Sequence, residues 1–308
     1  MRKFNPTFIA NSIELVIKDE MCNEVTIHSI FNNCINLQIG ERIISIFRNE
    51  ENKLPFGIAL EDEEFNEFKK YIYYDTKVKI NKLGIYFDEI LIINLDVPTV
   101  NIEYECKNKI KFSSMKRNLI YLSRLALEEN WSNGFNYEME KIINYLIYNE
   151  ESDDISEFIV NAGFLNNINN INNITDYDCY KFINFFIGRG KGLTPSGDDM
   201  LIGMMAMFHI GNFNVEVLNR CMDIYLSNLG EKRTTRISFE YLFYANKKLF
   251  ITALQKVCYA ILYLNEDNAL TTSVLELRSF GSTSPIDSII GILLASKVII
   301  NSKDSIIE

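Results

Sequence analysis

Two hydrophobic periods divide this chain. In the first third, apolar and polar positions alternate, as on strands with one face buried. Val25, Ile27, Ser29 and Phe31 share such a face. Ser12–Lys18 places Ile13, Leu15 and Ile17 on one side and predicts another strand. Cys34–Ile39 and Arg42–Phe47 flank Gly40-Glu41, a two-residue hairpin turn led by glycine. Lys77–Ile80, Gly84–Phe87 and Ile90–Leu95 continue the pattern, with Asp88-Glu89 as a turn and Pro98 ending the run. Glu61–Tyr74 breaks it: Phe65, Phe68 and Ile72 recur at helical spacing, which predicts one inserted helix. Short strands joined by close turns predict a small barrel or sandwich.

From about Ser113 the period becomes helical. Met115, Leu119, Leu122 and Leu125-Ala126 form one stripe behind a Ser113-Ser114 cap. Further helices are predicted over Tyr137–Tyr148, Ile155–Leu165, Tyr177–Ile187, Val215–Leu229, Ser238–Ala245, Phe250–Leu264, Ala269–Ser279 and Pro285–Ile300. Asn166–Ile174 reads NNINNINNI; its three-residue repeat drifts around a helix and fits no core face, so it reads as a surface loop. The fold class is therefore α+β: a β-rich domain over 1–112, a small barrel or sandwich with one inserted helix, then a larger, mostly α-helical domain over 113–308.

Composition narrows the partners. At 47% hydrophobic and 23% charged residues the chain is globular. A net charge of −10 argues against a nucleic-acid footprint, which needs a basic face. Cys22, Cys34, Cys106, Cys179, Cys221 and Cys258 are scattered, with no CxxC pair, and read as reduced thiols. The two histidines, His28 and His209, read as structural. Polar residues interrupt the N-terminus where a signal peptide would be apolar, and no uninterrupted apolar run reaches the ~18 residues of a spanning helix. The expectation is a cytoplasmic protein with no membrane or nucleic-acid partner.

The chemistry concentrates in Gly188–Gly203, GRGKGLTPSGDDMLIG, which also opens an apolar helix. Gly188, Gly190 and Gly192 allow the backbone to curl around a ligand. Arg189 and Lys191 can neutralise phosphate or carboxylate. Thr194, Ser196 and Gly197 lie where a helix start presents free N–H groups to an anion. Asp198 and Asp199 supply two carboxylates, one more than a helix cap uses, and could hold Mg²⁺ or orient an amide N–H. The stretch is echoed by Gly281–Gly291, GSTSPIDSIIG, which adds Gly281, Thr283, Ser284 and Asp287. Aligning Asp287 with Asp199 brings Ser284 onto Ser196 and Gly291 onto Gly203. Each copy reads equally as a Ser-x-x-Asp capping box, with Pro285 at a first helical position. A third candidate, GEKRTTRIS over Gly230–Ser238, sets Thr234, Thr235 and Ser238 among basic residues; it reads as a capped helix or as a pocket wall.

The succession GLTPSGDDMLIG, RTTRIS, GSTSPIDSIIG resembles the AllH-type subunit of oxamate carbamoyltransferase. The likeness is strongest from Gly188 to Gly291; the β-rich part agrees only in general character. The matching positions are Gly192, Thr194, Pro195, Ser196, Gly197, Asp198, Asp199 and Gly203, then Thr234, Thr235, Ser238, Gly281, Ser284 and Asp287. The resemblance implies a multi-subunit enzyme of anaerobic purine (allantoin) breakdown. It would interconvert oxalurate plus phosphate with oxamate plus carbamoyl phosphate, and would need partner subunits. On that reading the glycine loop and the helix start bind the anionic substrate: carbamoyl phosphate, oxamate or phosphate. Asp198, Asp199 and Lys191 would serve catalysis. Two alternatives stay open: a non-catalytic regulatory or scaffold subunit that binds an anionic metabolite, and an independent Mg²⁺-dependent hydrolase or phosphotransferase.

Overall fold

A computed structural model describes residues 1–20, 24–49, 53–104, 109–163, 175–213, 216–228 and 233–307. The expected loop Asn166–Ile174 and the basic residues' neighbours Gly230, Glu231 and Lys232 lie outside the described residues. The chain divides into two compact units, residues 1–103 with 249–252, and residues 104–248 with 253–308.

Among the described residues the first unit has nine strands: β1 (Arg2–Phe4), β2 (Phe8–Ile9), β3 (Val25–Ile30), β4 (Cys34–Ile39), β5 (Arg42–Arg48), β6 (Gly57–Leu60), β7 (Val78–Asn81), β8 (Gly84–Phe87) and β9 (Leu91–Asn94). They form one mixed sheet, ordered β1-β9-β8-β7-β3-β4-β5-β6-β2. Its two edge strands are consecutive in sequence. Phe4 and Phe8 can lie no more than ~15 Å apart, so the sheet curls toward itself as a half-barrel. The expected hairpins form, including the one at Asp88-Glu89, where both residues take positive φ (47° and 61°) as a tight two-residue turn requires. At the sheet's centre, Ile35, Leu37, Ile39, Ile43, Ile44 and Ile46 are all fully buried. Polar groups there must pair. Ser29, Asn36 and Ser45 stand opposite one another on β3, β4 and β5 and bond in a row: Asn36 Nδ2 donates to Ser29 Oγ at 3.0 Å, and Ser45 donates to Asn36 Oδ1. A one-residue slip would leave all three unsatisfied, so this rung fixes the register.

Among the described residues two helices, not one, accompany the sheet: α1 (Ser12–Glu20) and α2 (Asp62–Lys69). The first replaces the strand expected at Ser12–Lys18. Ile13, Val16 and Ile17 are buried while Leu15 is 59% exposed, which is helical spacing. The run Ile-Glu-Leu-Val-Ile satisfies both periods; the turn bonds Ile13 N–H to Ala10 O and Glu14 N–H to Asn11 O start the helix instead. Phe65 and Phe68 of α2 and the following Ile72 are buried, as expected.

The second unit is helical: α3 (Phe112–Glu128), α4 (Met139–Tyr148), α5 (Ser156–Ala162) after a 3₁₀ turn at Asp153–Ile155, α6 (Asp176–Phe186), α7 (Ser196–Ile210), α8 (Glu216–Asn228), α9 (Arg236–Asn246), α10 (Thr252–Tyr263), α11 (Asp267–Arg278) and α12 (Ser284–Ile307). The start of α3 departs from the expected serine cap: Lys111 precedes it and no side chain caps it. The outer helices are amphipathic. α7 is apolar nearly all round and correspondingly buried along almost its whole length. α12 shares this character. Its stretch Ser284–Ser302 is long and apolar enough to cross a membrane, but 78% of it is buried within the protein, against α4, α7 and α11. Asp287 and Lys297 interrupt this stretch, so no unbroken apolar run marks it in the sequence.

α7 and α12 lie backbone to backbone. A Cβ on Gly203 would fall onto the Ser288 carbonyl oxygen, and one on Gly291 onto the Met200 carbonyl oxygen. These contacts are reciprocal under the alignment of the two motifs, in which Met200 matches Ser288 and Gly203 matches Gly291. The echo in sequence is thus a local two-fold in space, with both helices running the same way.

Candidate functional site

The two helix starts are adjacent: Thr194 Oγ1 and Ser284 Oγ are 2.7 Å apart. Both helices begin one residue earlier than a Ser-x-x-Asp capping box requires. Asp199 N–H reaches Pro195 O at 3.1 Å, and Asp287 N–H reaches Thr283 O at 2.9 Å. The serines therefore sit inside the first turn, and Ser196 caps nothing; the cap position is Pro195, without a side-chain bond. This corrects the capping-box expectation. Each serine instead faces the other helix's aspartate. Ser284 and Thr194 hydrogen-bond the Asp199 carboxyl. Ser196 stands beside the Asp287 carboxyl, close enough to lower its proton affinity, yet Ser196 Oγ makes no well-formed hydrogen bond. Asp199 Oδ2 has no partner either. Ser196 is 1% exposed, Asp199 6% and Asp287 0%.

Two backbones close over this crossing. Gly190 (φ +108°) brings the loop onto the first turn of α7, where a Cβ would meet Ser196 Oγ at 2.6 Å and Ser196 N at 2.8 Å. From the other side comes Gly134, between α3 and α4. Its N–H donates to Asp287 Oδ1 at 3.0 Å and Oδ2 at 3.3 Å, and a Cβ there would collide with Ser196 Oγ. The sequence reading missed Gly134. Asn133-Gly134 is legible as a turn, but nothing local says what it approaches.

The other expected site residues go elsewhere. Asp198 is a latch: its Oδ1 accepts from Gly188 N–H at 2.8 Å, and its Oδ2 from Ser238 Oγ at 2.6 Å and from Thr234 Oγ1. Gly188 (φ +73°) is pressed against the Arg233 carbonyl oxygen. Thr235 caps α9 by accepting from Ser238 N–H, and its hydroxyl donates to Leu193 O. Thr234, Thr235 and Ser238 therefore tie the glycine loop to α9. Arg189 is paired with Glu157, Nη2 to Oε2 at 2.7 Å, and lies over the Phe185 ring at 4.2 Å. Lys191, Gly192 and Gly281 are exposed. Gly197 packs against the Phe186 carbonyl oxygen, and its N–H donates to Arg189 O at 2.9 Å. Asp198 and Asp199 N–H both turn to Pro195 O. Three N–H groups that a free helix start would offer to an anion are thus used internally. Thr283 contributes the carbonyl oxygen that starts α12.

Asp198 and Asp199 diverge, one toward α9 and one toward α12, so they cannot grip one Mg²⁺ together. Among the described residues no group of three or more His, Cys, Asp or Glu is placed to hold a metal ion. Among the described residues Cys34, Cys221 and Cys258 form no disulfide.

Burial pushes all three aspartates toward the neutral form. Asp198 is raised by burial, against its three donors. Asp199 is raised well above the usual carboxylate range, by burial and then by the charges of Asp287 and Asp198. Asp287 is raised to about 6 by burial, opposed by Gly134 N–H and Ser196. A carboxyl whose folded value exceeds its unfolded ~3.9 makes the folded state bind more protons. Its stability contribution is then present at low pH and declines as pH rises through the folded value. We expect urea unfolding of the chain to show stability falling by on the order of 1–3 kcal/mol between pH 5 and pH 8. A rise over that window would contradict these surroundings.

Comparison with known families places two matches on the chain. The family model described as oxamate carbamoyltransferase subunit AllH matches residues 186–296, and the AllH family N-terminal domain matches residues 9–101. The first spans the glycine loop and both crossed helix starts; the second spans most of the half-barrel. No curated protein and no solved structure matches the chain.

Proposed function

Since the chain belongs to the AllH family and is a carbamoyltransferase subunit by that membership, we propose that it binds the anionic substrate of an oxamate carbamoyltransferase where α7 and α12 begin. The observation that carries this is the crossing itself. Two positive helix ends lie side by side, an arrangement that favours negative charge between them. Two buried polar atoms, Ser196 Oγ and Asp199 Oδ2, are left without partners there. Unpaired buried groups call for an explanation, and a bound ligand that completes them is one.

On this reading the reaction is oxalurate plus phosphate to oxamate plus carbamoyl phosphate, in cytoplasmic purine (allantoin) degradation. The Gly188–Gly192 loop forms the rim, and Lys191 supplies positive charge from the exposed side. The Asp199–Asp287 pair orients the carbamoyl group. Carbamoyl transfer needs positioning and stabilisation of a developing oxyanion more than a nucleophilic side chain, so this equipment suits it. Partner subunits would complete the site. With all partners assembled and carbamoyl transfer to oxamate measured, Asp287→Ala should lower kcat/KM by roughly 100-fold. Lys191→Ala should mainly raise KM for carbamoyl phosphate, by about 10-fold. Full activity in both variants would sink the proposal.

One observation favours the regulatory alternative. Arg189 is committed to Glu157, which leaves Lys191 as the cation the loop can offer. A regulatory subunit would bind carbamoyl phosphate by calorimetry while the assembled enzyme kept its turnover in the Asp287 variant.

A further inference from the structure

Asp199 and Asp287 occupy equivalent places in the local two-fold, but their surroundings differ. Asp199 faces Ser284 and Asp287 on α12, Thr194 in the glycine loop, and Asp198 on its own helix. Asp287 faces Ser196 on α7 and Gly134 in the loop before α4. Among the described residues no cation acts on either carboxyl. Two buried carboxyls in mutual range without a cation cannot both ionise at neutral pH, so the pair holds a proton.

Donor chemistry decides which one. A backbone N–H can only donate, so it favours a carboxylate over an acid. Gly134 N–H spans both oxygens of Asp287. Asp199 has hydroxyl partners, which accept as readily as they donate and so tolerate either form. We infer that the Trp131–Tyr137 loop is a third wall of the site, and that its Gly134 makes Asp287 the ionised member of the pair while Asp199 keeps the proton. This rests on the crossing being the ligand site. It also resolves a difficulty with that reading: an anion approaching the helix ends meets one negative charge instead of two, and an acid O–H able to donate to it.

The loop is built to hold this position. The buried Asn133 closes it on itself, donating to Tyr137 O at 2.8 Å and accepting from Tyr137 N–H at 3.3 Å. Phe135 and Tyr137 stack at 6.1 Å, and both meet the edge of Phe158. The loop lies outside both family matches, 9–101 and 186–296. Gly134 and Asn133 act through Asp287, as positioning residues.

Carbon-13 NMR of the full chain labelled at aspartate carboxyls tests the assignment, with Asp199→Asn and Asp287→Asn identifying the two signals. Asp287 should titrate near 6, and Asp199 should give up its proton only above Asp287. Asn133→Ala, which loosens the loop without intruding on Ser196, should move the Asp287 midpoint upward. In the assembled enzyme the acid limb of kcat/KM should move with it. Gly134→Ala should do the same more strongly if it folds. Titration of Asp199 below Asp287, or an Asp287 midpoint indifferent to Asn133→Ala, would overturn the inference. The NMR reads the carboxyls without substrate. An intact titration order with no effect of Asp287→Ala on transfer would therefore refute the ligand-site reading alone.

Discussion

Gly203→Ala and Gly291→Ala are each expected to cost at least about 3 kcal/mol of stability, a large share of the roughly 5–15 kcal/mol that keeps a protein folded. Alanine is ordinarily the better helix former by ~1 kcal/mol, so propensity alone predicts the opposite sign. Packing reverses it. Each new methyl would occupy the position of a backbone carbonyl oxygen on the facing helix, Ser288 for Gly203 and Met200 for Gly291. A carbonyl inside a helix cannot turn aside as a side chain can. The helices must separate, and all of the dry contact along α7 and α12 loosens with them. Gly163→Ala is the control: among the described residues nothing lies within 4 Å of a Cβ there, and its stability should shift by less than ~0.5 kcal/mol. Urea unfolding of the three variants decides the matter. A Gly203→Ala protein as stable as the parent would mean the helices do not meet backbone to backbone.

Asp198→Ala should cost a further large amount, about 3–5 kcal/mol, for a different reason. Gly188 N–H and the Thr234 and Ser238 hydroxyls would all lose their acceptor at once. Leaving buried donors unmet is more expensive than never having buried them. Asp198→Asn keeps the shape but turns an NH₂ toward donors or wastes one oxygen, so its loss should be intermediate. Coupling identifies the latch: a double-mutant cycle of Asp198→Asn with Ser238→Ala should show an interaction of about 1–2 kcal/mol. Strict additivity would remove Asp198 from that role. Activity lost in Asp198 variants should track lost stability, whereas Asp287 variants should lose turnover with the fold retained.

Much of this was legible in the chain. Change of period separated the half-barrel from the helices, since strands and helices bury alternate and every third or fourth residue. Turn chemistry marked the hairpins. The misses share a cause. β1 and β2 are too short for a period to show, β6 is buried at all four positions and does not alternate, and Ile13–Ile17 fits both periods, so tertiary burial had to choose. At the site, the sequence marks Ser196, Asp199, Ser284 and Asp287 but does not say which of them meet. Ser196 with Asp199, and Ser284 with Asp287, look like two private capping boxes; in space the serine of each helix serves the aspartate of the other.

By itself, then, the sequence determined the two-part α+β organisation, the duplicated helix start and the family. These follow from local pattern, which side-chain type and backbone propensity impose without reference to distant residues. Only the tertiary structure decided that the copies cross, that Asp198 is a latch while Asp199 and Asp287 form a pair, and that Gly134 attends them. Those facts depend on which groups meet from far apart in the chain, 36 residues for Thr234 with Asp198 and 153 for Gly134 with Asp287. Burial and hydrogen-bond supply at the meeting point set a carboxyl's charge, and neither is written in its neighbours along the sequence.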